Sequence, residues 1–403
     1  MSSISAEKEI LAIHGGTPAR PKLLPYGRQA IDESDVQAVA DVLRSDWLTT
    51  GPKVAEFEEA FAAWVGSKYA VSFSSGTAAL HGSAFTAGLK PGDEAITSPM
   101  TFAATANSIL YQGATPVFAD VSPDTLNVDP AECSSRITPR TKAILPVDYG
   151  GHPADLNAIA ELAEKHGLVV IEDACHALGA KYHGRKVGSI SHMTVFSFHP
   201  VKHLTTGEGG MVTTDNSQFA ETLRRFRNHG ISSEARQRQA KDEWFYEMVL
   251  LGFNYRLTDI ACALGIQQLR KLDLNLERRR NIAARYTSAF SGVPAVIAPM
   301  VRSDVNPAWH LYPIRLDPAK LSAGRSEVFR ALRAENIGVN VHYVPVHRHP
   351  YYRERFGYQG GEFPAAEDAY QRLISLPMFH AMTERDVEDV ICAVGKVIGH
   401  FAK

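Results

Sequence analysis

The chain has 403 residues, which at about 150 residues per domain corresponds to two or three domains. Apolar residues make up 45% of the chain and charged residues 21%, a composition typical of globular proteins and unlike that of disordered chains. Lysine and arginine number 42 against 44 acidic residues, for a net charge of −2. There is no excess of positive charge for nucleic acid or an anionic membrane, so we expect neither as a partner.

The cysteines and the N-terminal residues predict a cellular compartment. Cys133, Cys175, Cys262 and Cys392 form no CxxC pair, which argues against a zinc ribbon and a thioredoxin-type motif. Residues 1–16 lack the apolar core of a secretory signal, and no run of 18 apolar residues occurs in the sequence. We therefore expect a soluble protein of the cytoplasm with reduced thiols.

Between about residues 54 and 215, short apolar runs alternate with amphipathic helical patterns. The predicted strands are Tyr69–Ser72, Glu94–Ser98, Pro116–Asp120, Lys142–Val147, Leu168–Asp173, Met193–Phe198 and Met211–Thr214. Helices are predicted among the first five of them, at Thr77–Leu89, Ala103–Gln112 and Leu156–His166. This alternation predicts βαβ units and a mainly parallel sheet.

After about residue 257 the pattern changes. Predicted here are helices at Leu257–Leu272 and Leu276–Phe290, a strand at His310–Leu316, a helix at Ser326–Asn336, a strand near Val339–Tyr343, a loop at Gly357–Pro364 and a helix from Thr383 to about Gly399. The predicted fold class is α/β. An N-terminal arm (residues 1–30) precedes a large domain (31–256) with a mainly parallel sheet flanked by helices. Linking helices and a small α+β C-terminal domain (257–403) follow.

One lysine and one carboxylate indicate a cofactor. Lys202 comes shortly after a predicted strand, near Val201 and Leu204, and a partly desolvated lysine can act as an amine nucleophile toward carbonyl groups. Asp173 ends the most apolar predicted strand. Pyridoxal phosphate (PLP) needs both a lysine and a carboxylate at its pyridinium nitrogen. A surface lysine and a solvated carboxylate are the alternatives.

Other candidate residues also follow predicted strands. Gly76 and Thr77 open a helix, where free N–H groups favour a phosphate, and Ser197 adds a hydroxyl. Phe102 is either a residue that stacks on a flat ring or part of the core, and His176 either donates to a ring oxygen or is structural. Because open parallel sheets bind ligands beyond the carboxyl ends of their strands, these positions point to one site.

The order of these motifs resembles the DegT family of nucleotide-sugar aminotransferases, which are fold-type I PLP enzymes. The resemblance runs from Trp47–Pro52 to Ser375–Pro377 and is most specific in Glu172–Gly179, Phe196–Lys202 and Gly252–Asp259. It implies that Lys202 is the catalytic residue and binds PLP as a Schiff base. Lys202 also implies transamination, because a dehydrating branch of the family carries histidine there.

The resemblance further implies roles for the residues around the cofactor. Asp173 would face the pyridinium nitrogen, His176 would lie near the ring hydroxyl, and Phe102 would stack on the ring. The phosphate would be bound by Gly76, Thr77 and Ser197, together with Asn254 of a neighbouring subunit. The expected unit is therefore a homodimer with shared active sites.

Within the family, four stretches are most similar to the transaminase of the pseudaminic acid pathway: Val147–Pro153, Arg227–Ile231, His310–Pro313 and Val341–His347. That enzyme aminates C4 of a UDP-linked 2-acetamido-2,6-dideoxy-4-keto hexose with L-glutamate as donor. Trp47–Pro52 and Tyr351–Phe356 are also similar to the aminoarabinose-pathway transaminase, which leaves a UDP-4-keto-pentose open. A small amine or ketone substrate and a catalytically silent PLP-binding regulator are further alternatives.

Two clusters allow other interpretations. His347 and His349, near His342, alternate as strand residues on one face would, but no carboxylate at ligand spacing accompanies them, and Pro345 and Pro350 bracket the group. No metal is therefore predicted, and we expect a loop that either faces the substrate or is structural. The run Arg278–Arg280 is predicted to be a solvated helix face, with a diphosphate contact as the alternative.

Overall fold

The computed structural model describes residues 10–233, 238 and 242–403. Its strands are β1 (Tyr69–Phe73), β2 (Glu94–Thr97), β3 (Thr115–Phe118), β4 (Thr141–Leu145), β5 (Val169–Asp173), β6 (Lys181–Tyr182), β7 (Arg185–Lys186), β8 (Met193–Ser197), β9 (Gly210–Thr214), β10 (Val296–Ile297), β11 (Val305–Asn306), β12 (Tyr312–Leu316) and β13 (Leu373–Leu376). Its α-helices are Glu33–Leu43, Pro52–Val65, Gly76–Thr86, Ala104–Tyr111, Pro130–Ser135, Leu156–His166, Ser217–Phe226, Asp259–Arg270, Leu272–Phe290, Arg325–Ala334, Pro350–Phe356, Pro364–Arg372 and Glu384–Phe401. Within these described ranges, none of the helices combines the length and the apolar character needed to cross a bilayer.

Seven strands form the central sheet, in the order β1-β9-β8-β5-β4-β2-β3. Neighbouring strands from β8 through β5, β4 and β2 to β3 are parallel, whereas β9 is antiparallel to both β8 and β1. All strands but β9 therefore share one direction, and the predicted mainly parallel sheet is confirmed. Because the carboxyl ends of β1, β2, β5 and β8 lie at the same edge, the residues that follow them come together.

Both faces of this sheet are covered. Alternation along β8 places Phe196 on one face, where it packs against Phe61 of the helix Pro52–Val65, and Val195 on the other. Met193, Val195 and Phe196 are all fully buried. Burial on two faces explains why the central strands are apolar at nearly every position.

The C-terminal part contains a second sheet, of order β10-β12-β13, whose neighbouring strands are antiparallel. The helices Arg325–Ala334 and Glu384–Phe401 pack against it around one apolar core, which Leu11 and Leu24 of the N-terminal segment also join. The sequence patterns do not predict β13, because it has only four residues and begins directly after the helix Pro364–Arg372.

The predicted strand near Val339–Tyr343 is wrong. Asn340 forms an isolated bridge with Ser375 of β13, but residues 339–343 belong to no strand of the described sheets. The Val341 N–H donates to the side-chain oxygen of Asn340 (2.8 Å). An asparagine side chain that takes up a backbone donor in this way competes with the ladder of a sheet.

Candidate active site

A cavity of about 520 Å³ lies where β1, β2, β5 and β8 end. Of the eight residues predicted to bind the cofactor, seven line it: Gly76, Thr77, Phe102, Asp173, His176, Ser197 and Lys202. The opposite wall comes from the N-terminal segment and the C-terminal part, through Tyr26, His310, Asn340, Val341, His342 and Tyr343. The cavity therefore lies between the large sheet and the C-terminal part of the chain.

Lys202 lies in the turn after β8, where its N–H donates to the His199 carbonyl (2.9 Å). Burial lowers the pKa of its amine, because the uncharged form needs less solvation. A lowered pKa makes the nucleophilic, uncharged form of the amine more accessible than it is in a surface lysine. The position and the environment of Lys202 therefore fit a covalent link to an aldehyde.

The carboxylate of Asp173 ends β5 and is held from two sides. The Thr105 hydroxyl donates to Oδ2 (2.7 Å), and the Cys175 N–H donates to Oδ1 (3.2 Å). Both bonds fix the orientation of the side chain. A buried, oriented carboxylate suits the protonated nitrogen of a pyridine ring. Thr105 was not predicted, since nothing in its sequence position indicates this contact.

The start of the helix Gly76–Thr86 has the form of a phosphate-binding site. The Ser75 hydroxyl accepts from the Ala78 N–H (3.1 Å), so the N–H groups of Gly76 and Thr77 are left without partners inside the helix. A Cβ on Gly76 would lie 2.9 Å from Cβ of Ser197 and 3.2 Å from its hydroxyl oxygen. A side chain there would fill the space between these donors, which suits a phosphate bound at a helix N-terminus.

His176 connects the two walls of the cavity. Its Nε2 is hydrogen-bonded to the hydroxyl of Tyr343 (2.9 Å), and its ring centroid lies 4.4 Å from that of His310. Burial holds the pKa of His176 well below its usual value, so the ring is neutral. Its Nδ1 is buried and has no hydrogen-bond partner within the described residues. A buried orphaned nitrogen is unfavourable, and a hydroxyl on a cofactor ring would satisfy it.

Phe102 and Asn254 differ in where they lie. The Phe102 side chain is 62% exposed although it is aromatic, and its ring centroid lies 6.1 Å from that of Tyr343, so a face is free to stack on a flat ring. Asn254 is exposed and is not among the residues that line the cavity of its own chain.

The strand-like alternation of His347 and His349 is not present in the structure. His347 lies in a 3-10 helix (Val346–Arg348), not on a strand, and His342 instead lines the cavity. Carboxylates do accompany His347, because its Nε2 is 3.1 Å from Glu367 Oε1 and Glu362 is also close. The chain folds back between these positions, so sequence spacing could not reveal the cluster.

These carboxylates already have partners. The Gly361 N–H donates to Glu367 Oε1 (2.6 Å), and the N–H groups of Gln359 and Gly360 donate to the two oxygens of Glu362 (2.7 Å each). The contacts around His347 are thus accounted for by hydrogen bonds that hold the loop after the helix Pro350–Phe356.

Arg279 also departs from its predicted exposure. It is fully buried, and its Nη1 donates to the carbonyls of Trp309 (3.1 Å) and Met378 (3.0 Å). Desolvation lowers the pKa of its guanidinium to about 10. The helical spacing could have indicated this burial, because Arg279 lies on the same stripe as the buried Leu276 and Tyr286.

Comparison with known proteins agrees with this geometry. The model of the DegT/DnrJ/EryC1/StrS aminotransferase family matches residues 29–395. The chain is 46% identical over 381 residues to the spore coat polysaccharide biosynthesis protein SpsC of Bacillus subtilis, covering 94% of this chain and 98% of SpsC.

Solved structures agree as well. Helicobacter pylori PseC, an aminotransferase involved in the biosynthesis of pseudoaminic acid, has a TM-score of 0.87 and 34% identity, covering 94% of this chain and 100% of that one. Spr1654 of Streptococcus pneumoniae, solved in PMP and PLP forms, has a TM-score of 0.88 for both; the PMP form is 31% identical and covers 94% and 99% of the two chains.

Proposed function

The chain belongs to the DegT/DnrJ/EryC1/StrS aminotransferase family and is a PLP-dependent sugar aminotransferase, and from that premise we propose that it moves an amino group from L-glutamate to C4 of a UDP-linked 4-keto-6-deoxy sugar. The observation that carries the reaction type is the pairing of Lys202 with Asp173 in one cavity, which a helix N-terminus suited to phosphate also lines.

Different residues of the cavity bind the phosphate, the ring nitrogen and the aldehyde carbon of the cofactor. The N–H groups of Gly76 and Thr77 and the Ser197 hydroxyl hold the phosphate, and Asp173 keeps the pyridine nitrogen protonated. PLP, when bound, supplies an electron sink for the carbanion at the donor's Cα. Lys202 would hold the cofactor covalently, and its amine, once free, would take the proton from the donor's Cα. Two half-reactions of this kind predict ping-pong kinetics.

The proposal of a hexose substrate is supported by the stretches of the chain that line the cavity. Val147, His310 and the residues Val341–Tyr343 line it, and all belong to stretches similar to the pseudaminic acid transaminase. Neither Trp47–Pro52 nor Tyr351–Phe356 contributes a lining residue, and these are the stretches similar to the aminoarabinose enzyme. The balance therefore favours a hexose over a pentose. PseC itself acts in pseudoaminic acid biosynthesis and SpsC in that of a spore coat polysaccharide.

The substrate proposal is tested by product analysis. The PLP-loaded enzyme is incubated with glutamate and a panel of UDP-4-keto hexoses, a UDP-4-keto pentose and simple ketones, with products identified by mass and NMR. We expect amination of a 4-keto-6-deoxy hexose. Lys202→Ala should abolish turnover and the absorbance of the lysine-linked cofactor, whereas Lys142→Ala, an exposed position on β4, should do neither. Preferred amination of the pentose or of a simple ketone overturns the sugar assignment.

We also propose a homodimer in which Asn254 completes the partner's phosphate site. Asn254 does not line the cavity of its own chain, and a run of nearby apolar side chains is exposed: Trp244 (84%), Phe245 (61%), Met248 (68%) and Leu251 (73%). An apolar surface of this kind indicates a protein–protein contact.

Cytoplasmic residence is supported by the four cysteines, all of which are free thiols.

Mixing two inactive variants tests the shared site. Lys202→Ala and Asn254→Ala should each be inactive alone, yet a heterodimer of the two has one site with both residues intact. After subunit exchange we expect about a quarter of wild-type activity, as random pairing in a twofold dimer dictates. If the exchanged mixture stays inactive although heterodimers form, the shared-site proposal fails.

A further inference from the structure

The Lys202 amine has a histidine beside it. Nε2 of His310 lies 3.5 Å from Lys202 Nζ, a separation typical of catalytic hydrogen bonds before substrate arrives. His310 is buried, and its ring packs against those of His176 and His203, with centroids at 4.4 and 5.6 Å. The ring is therefore held in one place by its neighbours.

The backbone around His310 is held by a glycine turn. The Ala308 N–H donates to the Gly151 carbonyl (2.9 Å), and the Leu311 N–H donates to the Gly150 carbonyl (3.1 Å). At Gly151, a Cβ would lie 2.9 Å from the backbone nitrogen of His310, so only glycine allows this close approach of the two main chains. These contacts fix the main chain on both sides of His310.

A second set of contacts fixes the same segment from the helix Leu272–Phe290. Arg279 Nη1 donates to the Trp309 carbonyl (3.1 Å) and lies 3.4 Å from that of His310. Trp309 has φ of +54°, a left-handed conformation that a bulky residue adopts only when its surroundings impose it. Such strain concentrates at functional sites, and here it immediately precedes the residue beside Lys202.

The chemistry of His310 suits a hydrogen-bond acceptor. Burial and the nearby Lys202 and Arg279 hold the pKa of His310 well below its usual value, so the ring is neutral. Its Nδ1 is buried with no partner in the described part of the chain, so no other bond dictates which nitrogen carries the proton. Nε2 is therefore free to accept from Nζ.

We propose that His310 is a positioning residue for Lys202, accepting a hydrogen bond from Nζ whenever the amine is free. Accepting one N–H turns the lone pair of Nζ away from His310, and the same bond strengthens when Nζ becomes an ammonium. The amine is thus oriented before it takes the proton from the donor's Cα. This inference rests on the proposed function, because it takes Lys202 as the proton carrier.

Four variants test the role of His310. His310→Leu removes the acceptor at similar volume, and His310→Asn has an amide too short to reach Nζ. His310→Gln places an amide oxygen near the position of Nε2. His347→Leu is the matched control, because His347 is a buried histidine outside the cavity whose Nε2 bonds to Glu367 instead (3.1 Å).

The first measurement is the rate at which apoprotein captures PLP covalently, followed by absorbance in a stopped-flow instrument. The second is kcat and KM of the half-reaction with glutamate. We expect His310→Leu and His310→Asn to slow capture and lower kcat at least about tenfold with KM unchanged, as for a misplaced catalytic group. His310→Gln and His347→Leu should stay near the wild-type values.

Three outcomes overturn the inference: wild-type capture by both loss variants, a loss in His310→Gln equal to that in His310→Leu, or the same loss in His347→Leu. The capture assay needs no donor and no sugar, so it is independent of the proposed substrates. Borohydride reduction and peptide mapping of the wild-type protein identify the labelled lysine. Label on another lysine refutes the role of Lys202, and with it the inference.

Discussion

Alanine should do much more damage at Gly151 than at its neighbour Gly150. Both glycines have positive φ, +100° and +65°, and both lie in the turn that follows Asp148. A Cβ on Gly151 would meet the His176 carbonyl oxygen and the Trp309 nitrogen at 2.8 Å each. A Cβ on Gly150 would find no atom nearer than Pro313 Cγ, at 3.9 Å. Comparing the Gly150→Ala and Gly151→Ala variants therefore separates the cost of the backbone conformation from the cost of steric conflict.

The magnitudes follow from this difference. At Gly150 an alanine adopts an ordinary left-handed conformation, which costs about 1–2 kcal/mol. At Gly151 the φ lies outside the left-handed well of about +50° to +70°. The contacts there are with backbone atoms, which cannot rotate away as a side chain can. Adding backbone strain of about 1–3 kcal/mol to the conformational term of about 1–2 kcal/mol, we expect a loss of about 2–5 kcal/mol for Gly151→Ala.

Thermal unfolding and the glutamate half-reaction measure the two effects. Gly150→Ala should lower the melting temperature by a few degrees and leave kcat unchanged. Gly151→Ala should lower the melting temperature further and reduce kcat at least about tenfold, because the segments of His176 and His310 must move. Equal losses of stability and activity in the two variants would refute the argument, because the steric contacts at Gly151 would then have no effect.

Three further predictions follow from buried charges. Glu58→Ala removes the carboxylate that accepts from Ser72 and from the buried Arg227, and should lower the free energy of unfolding by about 3–5 kcal/mol; a loss below about 1 kcal/mol in urea titrations would contradict this. The Asp173→Asn variant should still bind PLP, as measured by the absorbance of the cofactor, but its kcat should fall at least about a hundredfold. Near-normal turnover would refute the pairing with the pyridine nitrogen. Burial lowers the pKa of His380 to about 4, against about 6.5 when unfolded, so the unfolded state binds the extra proton between these values and stability falls as pH drops from 6.5 to 4. His380→Leu should flatten that dependence in unfolding measured at pH 7 and pH 5, and an unchanged slope would contradict it.

Much of the large domain could be predicted because its signals are local. The predicted strands of the central sheet end within two residues of the observed ones, since burial on both faces makes each strand a continuous apolar run. Asp173 ends one such run and Lys202 lies in the turn after another, and in a parallel sheet the carboxyl ends of the strands share one edge. This is why seven of the predicted cofactor-binding residues line a single cavity.

Tertiary structure decided the rest, because those contacts join distant parts of the chain. His310 and Lys202 are 108 residues apart, and Tyr343 and His176 are 167 residues apart. Neither pair has a spacing that a periodicity could reveal. Arg279 illustrates the same limit, because a charged residue on a helix is exposed or buried according to what packs against it. The sequence by itself determined the sheet and the lysine–carboxylate pair at its edge, whereas the residues that orient them came from packing of the C-terminal part, which local patterns do not encode.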